Sequence, residues 1–306
     1  MAAEVSRAVI GGTGFSELAS DFQNIETDYG TIKVGHIELG GKEVLFVPRH
    51  IGLEIPQLVN YRGNIQALKL LGVNTVFAVS AAGRLAQNIL PGHLVAVSNV
   101  DHEGSARTSS FADTPGLLLH ASPEDICSPG LRDILIQSWG AVKNKIAQIY
   151  SDSPDLELGF HPNGTYYNVD GPDFRDPATE HRLRQTVFQP ALIGQTVWPE
   201  INLARQMAMA YQPLGMCVDN SSFPGAKPVT HADGVMHAVV KTAQAAVVLL
   251  NEAVKNTPDN FFEAAAHDAM RHSLHPSQVN FPLLKSQGRT KLAIILEQEL
   301  ASRSLT

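Results

Sequence analysis

Cysteine is nearly missing from this chain, with only Cys127 and Cys217 among 306 residues. Two cysteines cannot build a disulfide scaffold, and they predict reduced thiols in an intracellular, cytoplasmic protein. Metal-ligand spacing is missing as well. Neither CxxC nor HExxH occurs, so no metal site is expected. Basic charge is in short supply: 23 Lys and Arg face 30 Asp and Glu, for a formal charge of −7. That balance argues against nucleic acid or an anionic membrane as the main partner. No run of about 18 apolar residues is present, and the first residues lack the basic-then-apolar order of a secretory signal. A hydrophobic content of 44% is ordinary for a globular protein and can supply the core of one large α/β domain or two small ones.

What is present is an alternation of strand-like and helix-like stretches. EVLFVPRH (Glu43–His50) is rich in β-formers, and its strand ends at Pro48. PQLVNYRGNIQALKLLG (Pro56–Gly72) spaces Leu58, Ile65, Leu68 and Leu71 as an amphipathic helix stopped by Gly72. TVFAVSAAG and HLVAVSNV read as buried strands. Ser128 to Ile146 reads as a helix, with Ser128 as N-cap and Pro129 at its first position. GTYYNV, ALIGQTV and GMCVDNS add strands, and Pro199–Tyr211 and His231–Lys255 add helices. Ser151–Gly164 reads as a polar loop, and two further helix-like segments follow Thr257. The pattern predicts an α/β fold with helices on the faces of a sheet, whose ligands bind at the carboxyl ends of the strands.

Those strand ends carry chemistry. Near the start, RAVIGGTGFSEL runs from a short apolar strand into Gly11-Gly12-Thr13-Gly14, a turn able to wrap a phosphate. A dinucleotide fingerprint would need a third glycine where Glu17 stands, which disfavours an NAD-dependent enzyme. Other strand ends carry Arg49 and His50, the small residues Ser80-Ala81-Ala82-Gly83, and Thr196. Taken singly these are ordinary surface or turn residues. Together they supply hydroxyls, backbone donors and a guanidinium, a set suited to a tetrahedral oxyanion without a metal.

IGGTGF, PRH, VNYRGNIQALKLLGV, DGPDF, VWPEINLARQM and CVDNSS fall in the order and spacing of the trimeric purine nucleoside phosphorylases. Over about residues 7 to 255 the chain resembles that family, and within it the 5′-methylthioadenosine phosphorylase branch. The resemblance implies a single-domain phosphorylase-type fold, a mixed central β-sheet flanked by helices on both faces. It would occupy residues 1–257, with 258–306 as a helical extension packed on the domain or at an oligomer interface. It further implies a homotrimer or dimer of trimers that uses inorganic phosphate as co-substrate and no other cofactor.

On the same basis Thr13, Arg49, His50, Ser80, Ala81 and Thr196 would bind phosphate. Phe174 would stack on the purine, and Asp219 would serve the base at N7 as acid or hydrogen-bond donor. His120, His231 and Val235 would border the 5′ substituent of the sugar. Three departures sit beside the base and sugar. Ser221 replaces a second aspartate, Arg175 stands where 6-oxopurine phosphorylases carry glutamate, and Gln195 replaces a methionine. The expected reaction is phosphorolysis of a 5′-substituted adenine nucleoside to free base and pentose 1-phosphate. A phosphorylase of altered base specificity, a nucleosidase using water and a non-catalytic nucleoside-binding homologue remain alternatives.

Overall fold

The structure is a computed structural model and describes residues 6–12, 14–15, 18–52, 54–173, 175–184, 186–187, 189–219 and 232–303. Its strands are β1 (Arg7–Gly11), β2 (Phe22–Thr27), β3 (Gly30–Leu39), β4 (Lys42–Pro48), β5 (Thr75–Arg84), β6 (Leu94–Ala96), β7 (Asn99–His102), β8 (Phe160–His161), β9 (Thr165–Asn168), β10 (Leu192–Gly194) and β11 (Ala210–Asp219). The helices are α1 (Tyr61–Leu70), α2 (Pro129–Ile149), α3 (Pro177–Arg184), α4 (Val197–Gln206), α5 (Ala232–Asn256), α6 (Ala264–Ser273), α7 (Phe281–Ser286) and α8 (Thr290–Arg303).

All of these strands join one mixed sheet, as expected. Its main path runs β2-β3-β4-β1-β5-β10-β9-β7, with β11, β6 and β8 branching from β5. Strict alternation sends successive side chains to opposite faces. Ala8, Ile10, Val76 and Ala78 point to one face, where Ile65 and Leu68 of α1 and Ile201 and Ala204 of α4 cover them. Val9, Phe46, Phe77 and Val79 point to the other, under Leu131 and Leu135 of α2 and Ala246 and Leu249 of α5. The segment beyond Thr257 packs on the first face, burying Met270, Leu274, Leu284, Leu292 and Leu296 in that cluster. By length and composition α5 could cross a membrane over Gly234–Asn256. Its stripe of Ala238, Ala246, Leu249, Leu250 and Ala253 is instead packed in the core.

Several expected boundaries move, each for a local reason. The helix expected from Pro56 starts at Tyr61, because the Asn60 side chain accepts the Gly63 N–H and caps it; Leu58, counted on its apolar face, is exposed. The helix expected to reach Tyr211 ends at Gln206. Ala208 takes a positive φ of 55°, and the chain re-enters the sheet at Ala210. HLVAVSNV divides into β6 and β7, since the first half pairs with β11 and β8 while the second pairs with β9. Among the described residues, three α-helices and a 3₁₀ turn (Pro276–Gln278), not two helical segments, follow Thr257. The loop Ser151–Gly164 contains the short β8.

The feature that creates a site is a break along one edge of β5. On that side β1 accompanies β5 in parallel as far as Ala78, and β10 takes up the same side, antiparallel, only at Gly83 and Arg84. Val79 to Ala82 are left without a strand neighbour there, while β11 stays paired along the opposite side. Strand direction reverses at this gap, the kind of switch point where open α/β sheets bind ligands.

Candidate active site

Five strand ends meet at the gap. Gly12 after β1, Arg49 and His50 after β4, Ser80 to Arg84 of β5, Gly194 to Thr196 at β10 and Val218-Asp219 of β11 line one cavity of about 600 Å³. Val235, Met236 and Val239 of α5 form an apolar wall, and Pro172 and Arg175 close the side beyond β9.

At one end stands Arg49, whose side chain is 1% exposed. Its Nε and Nη2 donate to the two carboxylate oxygens of Glu200 at 2.8 and 2.7 Å, and Nη1 donates to the Val79 carbonyl at 2.7 Å. Glu200 also accepts from the Tyr211 hydroxyl at 2.6 Å. Burial acts to lower the pKa of Arg49, but the Glu200 carboxylate outweighs it and the guanidinium is held charged. Of five guanidinium N–H groups, three are engaged in these bonds, leaving one on each terminal nitrogen. A Cβ on Gly12 would lie 3.2 Å from Nη1 and 3.4 Å from the His50 ring. The glycine turn therefore lets the backbone approach both side chains.

His50 Nδ1 is 2.9 Å from the Glu54 carbonyl. A carbonyl only accepts, so Nδ1 carries the hydrogen and a neutral ring presents Nε2 as an acceptor. Burial, then the neighbouring Arg49, push the His50 pKa below its ordinary 6.5. Ser80 Oγ lies 3.0 Å from Thr196 Oγ1 and 2.8 Å from the Tyr166 hydroxyl. Thr196 is the N-cap of α4 but makes no side-chain cap bond, and its hydroxyl turns to Ser80 instead. Tyr166 reaches this pair over Gly194, where a Cβ would fall 1.8 Å from its hydroxyl oxygen. Glu200, Tyr211 and Tyr166 were missed in the sequence. Glu200 lies inside PEINLA and could have been flagged as a carboxylate in an apolar helix; the two tyrosines carry no signal beyond strand alternation.

At the other end, Asp219 sits in register with Gly83 across a bulge between Cys217 and Asp219. Its Oδ2 would be 3.9 Å from a Cβ on Gly83. Ser80, in register with Gly215, is three residues back along β5, or about 10 Å. Arg175 lines the cavity and pairs with Glu103. Gln195 Nε2 faces the Pro172 carbonyl at 3.3 Å. Arg107, also missed, bonds the carbonyls of Gln195, Trp198 and Asp170, tying the loops beside the cavity together. Arg84 and Glu180, likewise unflagged, line it too.

Of the expected site residues, Arg49, His50, Ser80, Ala81, Thr196, Arg175, Gln195, Asp219 and Val235 meet in this cavity. His120 does not line it. The stretch before it is drawn to the C-terminal segment, with Leu117 bridged to Val279 and the Leu118 N–H bonded to the Gln278 carbonyl; His120 itself is exposed. Thr13, Phe174, Ser221 and His231 lie outside the described residues. Among the described residues no group of three or more His, Cys, Asp or Glu is placed to hold a metal ion. Chemically, one end offers oriented hydroxyl and guanidinium donors for an oxyanion, and a carboxyl faces the other end. That arrangement can hold a nucleophilic anion and a departing group on opposite sides of a bound carbon centre.

The model of the phosphorylase superfamily matches residues 6–255. The chain is 35% identical over 262 residues to the S-methyl-5′-thioadenosine phosphorylase of Hyperthermus butylicus, covering 82% of this chain and 88% of that one. It is 32% identical to the enzyme of the same name from Thermofilum pendens, covering 84% and 94%. A solved methylthioadenosine phosphorylase from an antarctic soil metagenomic library superposes with a TM-score of 0.80 at 29% identity, over 95% of this chain and 98% of that one.

Proposed function

The chain belongs to the phosphorylase superfamily, and from that premise we propose that it is a nucleoside phosphorylase that cleaves 5′-methylthioadenosine to adenine and a 5-methylthio pentose 1-phosphate. The observation that carries the reading is the spacing along β5. An oxyanion at Ser80, Thr196, Arg49 and His50 and a base at Asp219 leave about 10 Å between them, room for one pentose.

In this reading a phosphate oxygen bonds to C1′ as the C1′–N9 bond breaks, and the bonding pair leaves with the purine. Arg49, neutralised by Glu200, adds directed N–H donors more than net charge. The Ser80 and Thr196 hydroxyls, fixed by Tyr166, orient the anion below the sugar. Asp219 donates a hydrogen bond or proton at N7, dispersing charge on the leaving base. The apolar wall of Val235, Met236 and Val239 suits a methylthio group at the 5′ end. A homotrimer or dimer of trimers acting in the cytoplasm, with residues 258–306 as an extension packed on the domain, belongs to the same proposal. Its support is the resemblance together with Ile55 and Met236, which line the cavity yet are 42% and 48% exposed, as residues covered by a partner would be.

The test is chromatography of free base. Adenine should be released from 5′-methylthioadenosine only when inorganic phosphate is present, with a pentose 1-phosphate formed in equal amount. Equal release in phosphate-free buffer would make the protein a hydrolase.

A further inference from the structure

The oxyanion end of the cavity carries an unusual balance of groups. Among the described residues at that end, the Arg49 guanidinium is matched by Glu200, and Ser80 and Thr196 are neutral. His50 stands beside them in the same lining. Its Nδ1 hydrogen is committed to the Glu54 carbonyl. The edge bearing Cδ2 and Nε2 faces Gly12, with Nε2 3.7 Å from where a Cβ on that residue would stand. No described residue hydrogen-bonds Nε2. A neutral imidazole fixed in this tautomer can only accept a hydrogen bond at Nε2.

Resting on the phosphorylase reading, we propose that His50 is the specificity-determining residue for the anion: its Nε2 accepts the P–O–H hydrogen of the hydrogen phosphate dianion, so the site selects a tetrahedral oxyanion that carries a proton over one that does not. The protonated oxygen is held at His50, and the unprotonated oxygens are left for the hydroxyls, for Arg49 and for attack. No proton is transferred in binding.

The charged groups around the ring support the neutral form. Arg49, on its own strand end, opposes protonation, whereas Glu54 on the following loop and Glu200 on α4 favour it; burial is the largest influence and also opposes it. Among the described cavity residues, Gly12 after β1, Ser80 of β5, Thr196 at β10 and Val239 of α5 are uncharged. The cavity also carries Arg84, Arg175, Glu180 and Asp219.

Sulfate and phosphate separate the two possibilities. At about pH 8.5, well above the ordinary histidine pKa, both are dianions of similar size, and only phosphate bears a hydrogen. Calorimetric titration of the full chain should show phosphate bound at least about tenfold more tightly than sulfate, the value of one hydrogen bond to a charged group gained or lost. The gap should narrow towards acid pH as His50 takes up a proton and can donate to sulfate. His50→Gln places an amide that can turn its N–H outward, and should bring the two affinities within about threefold, chiefly by improving sulfate. Wild-type affinities within about threefold at about pH 8.5 would overturn the proposal while leaving the oxyanion site standing. Phosphate failing to bind at all would overturn the phosphorylase reading, and the proposal with it.

Discussion

Replacing Glu200 with alanine perturbs the buried ion pair behind the cavity without removing a residue that lines it. Its side chain is fully buried beside Arg49, which is 1% exposed, and it accepts three hydrogen bonds, two from the guanidinium and one from Tyr211. Glu200→Ala would strand a buried cation without its counter-charge, and breaking such a pair costs about 3–5 kcal/mol. Unfolding entropy of about 2.1 cal/mol/K per residue over 306 residues turns each kcal/mol into a Tm change of about 1.6 °C. The variant should therefore melt about 5–8 °C below wild type.

Phosphate supplies a second readout. In the variant the anion becomes the only counter-charge to Arg49, so saturating phosphate should raise Tm by more than it does in wild type, where binding at a hundredfold Kd adds about 2.7 kcal/mol. Removing both charges with Arg49→Met and Glu200→Ala should recover part of the loss, because no stranded charge remains. Scanning calorimetry with and without phosphate on the three proteins tests all of this. A Glu200→Ala protein within about 2 °C of wild type, or one gaining no extra protection from phosphate, would refute the account of Arg49 as a compensated cation.

Asp219→Ala should lower kcat about 10²–10⁴-fold for 5′-methylthioadenosine and far less for a nucleoside whose base leaves without protonation; equal losses on both would make Asp219 structural. His93 titrates at about 4 rather than 6.5, held down first by burial, then by His161 and Arg84. The unfolded chain thus binds that proton more readily, so stability is full above about pH 6.5 and falls as the pH drops towards 4. His93→Asn keeps an acceptor for the Leu90 N–H and His161, which bond His93 Nδ1. It should shrink the Tm difference between about pH 7 and pH 5; an unchanged difference would exclude His93 as the source of acid sensitivity.

Much of the site was legible because it is local. Arg49, His50, Ser80 and Thr196 each close an apolar run, and a run that ends at a sheet's carboxyl edge delivers its last residues to the ligand side whatever the detailed topology. The helices on both faces followed from period alone. Residues that act through partners were not legible. Arg49 and Glu200 are separated by 151 positions, and nothing in PRH or PEINLA says that they pair. Tyr166 and Ser80 are 86 positions apart, and the role of Tyr166 depends on Gly194 leaving room above it. His120 was assigned to the sugar's 5′ end by resemblance alone, and within one chain the pairing of Leu117 with Val279 holds its segment against the C-terminal region.

The sequence by itself determined the chain's class. Alternating strand and helix periods dictate an α/β sheet, and the acidic balance and strand-end residues point to a small oxyanion rather than a polymer. Tertiary structure alone decided how the site works. The departure of β1 at Ala78 and the arrival of β10 at Gly83 open the edge of β5. There the Val79 carbonyl accepts from Arg49, Glu200 of α4 neutralises the guanidinium, and the Glu54 carbonyl beyond β4 sets which nitrogen of His50 bears hydrogen. These are relations between distant segments whose energies depend on burial and on ångström-scale distance, and neither quantity is written in the order of the residues.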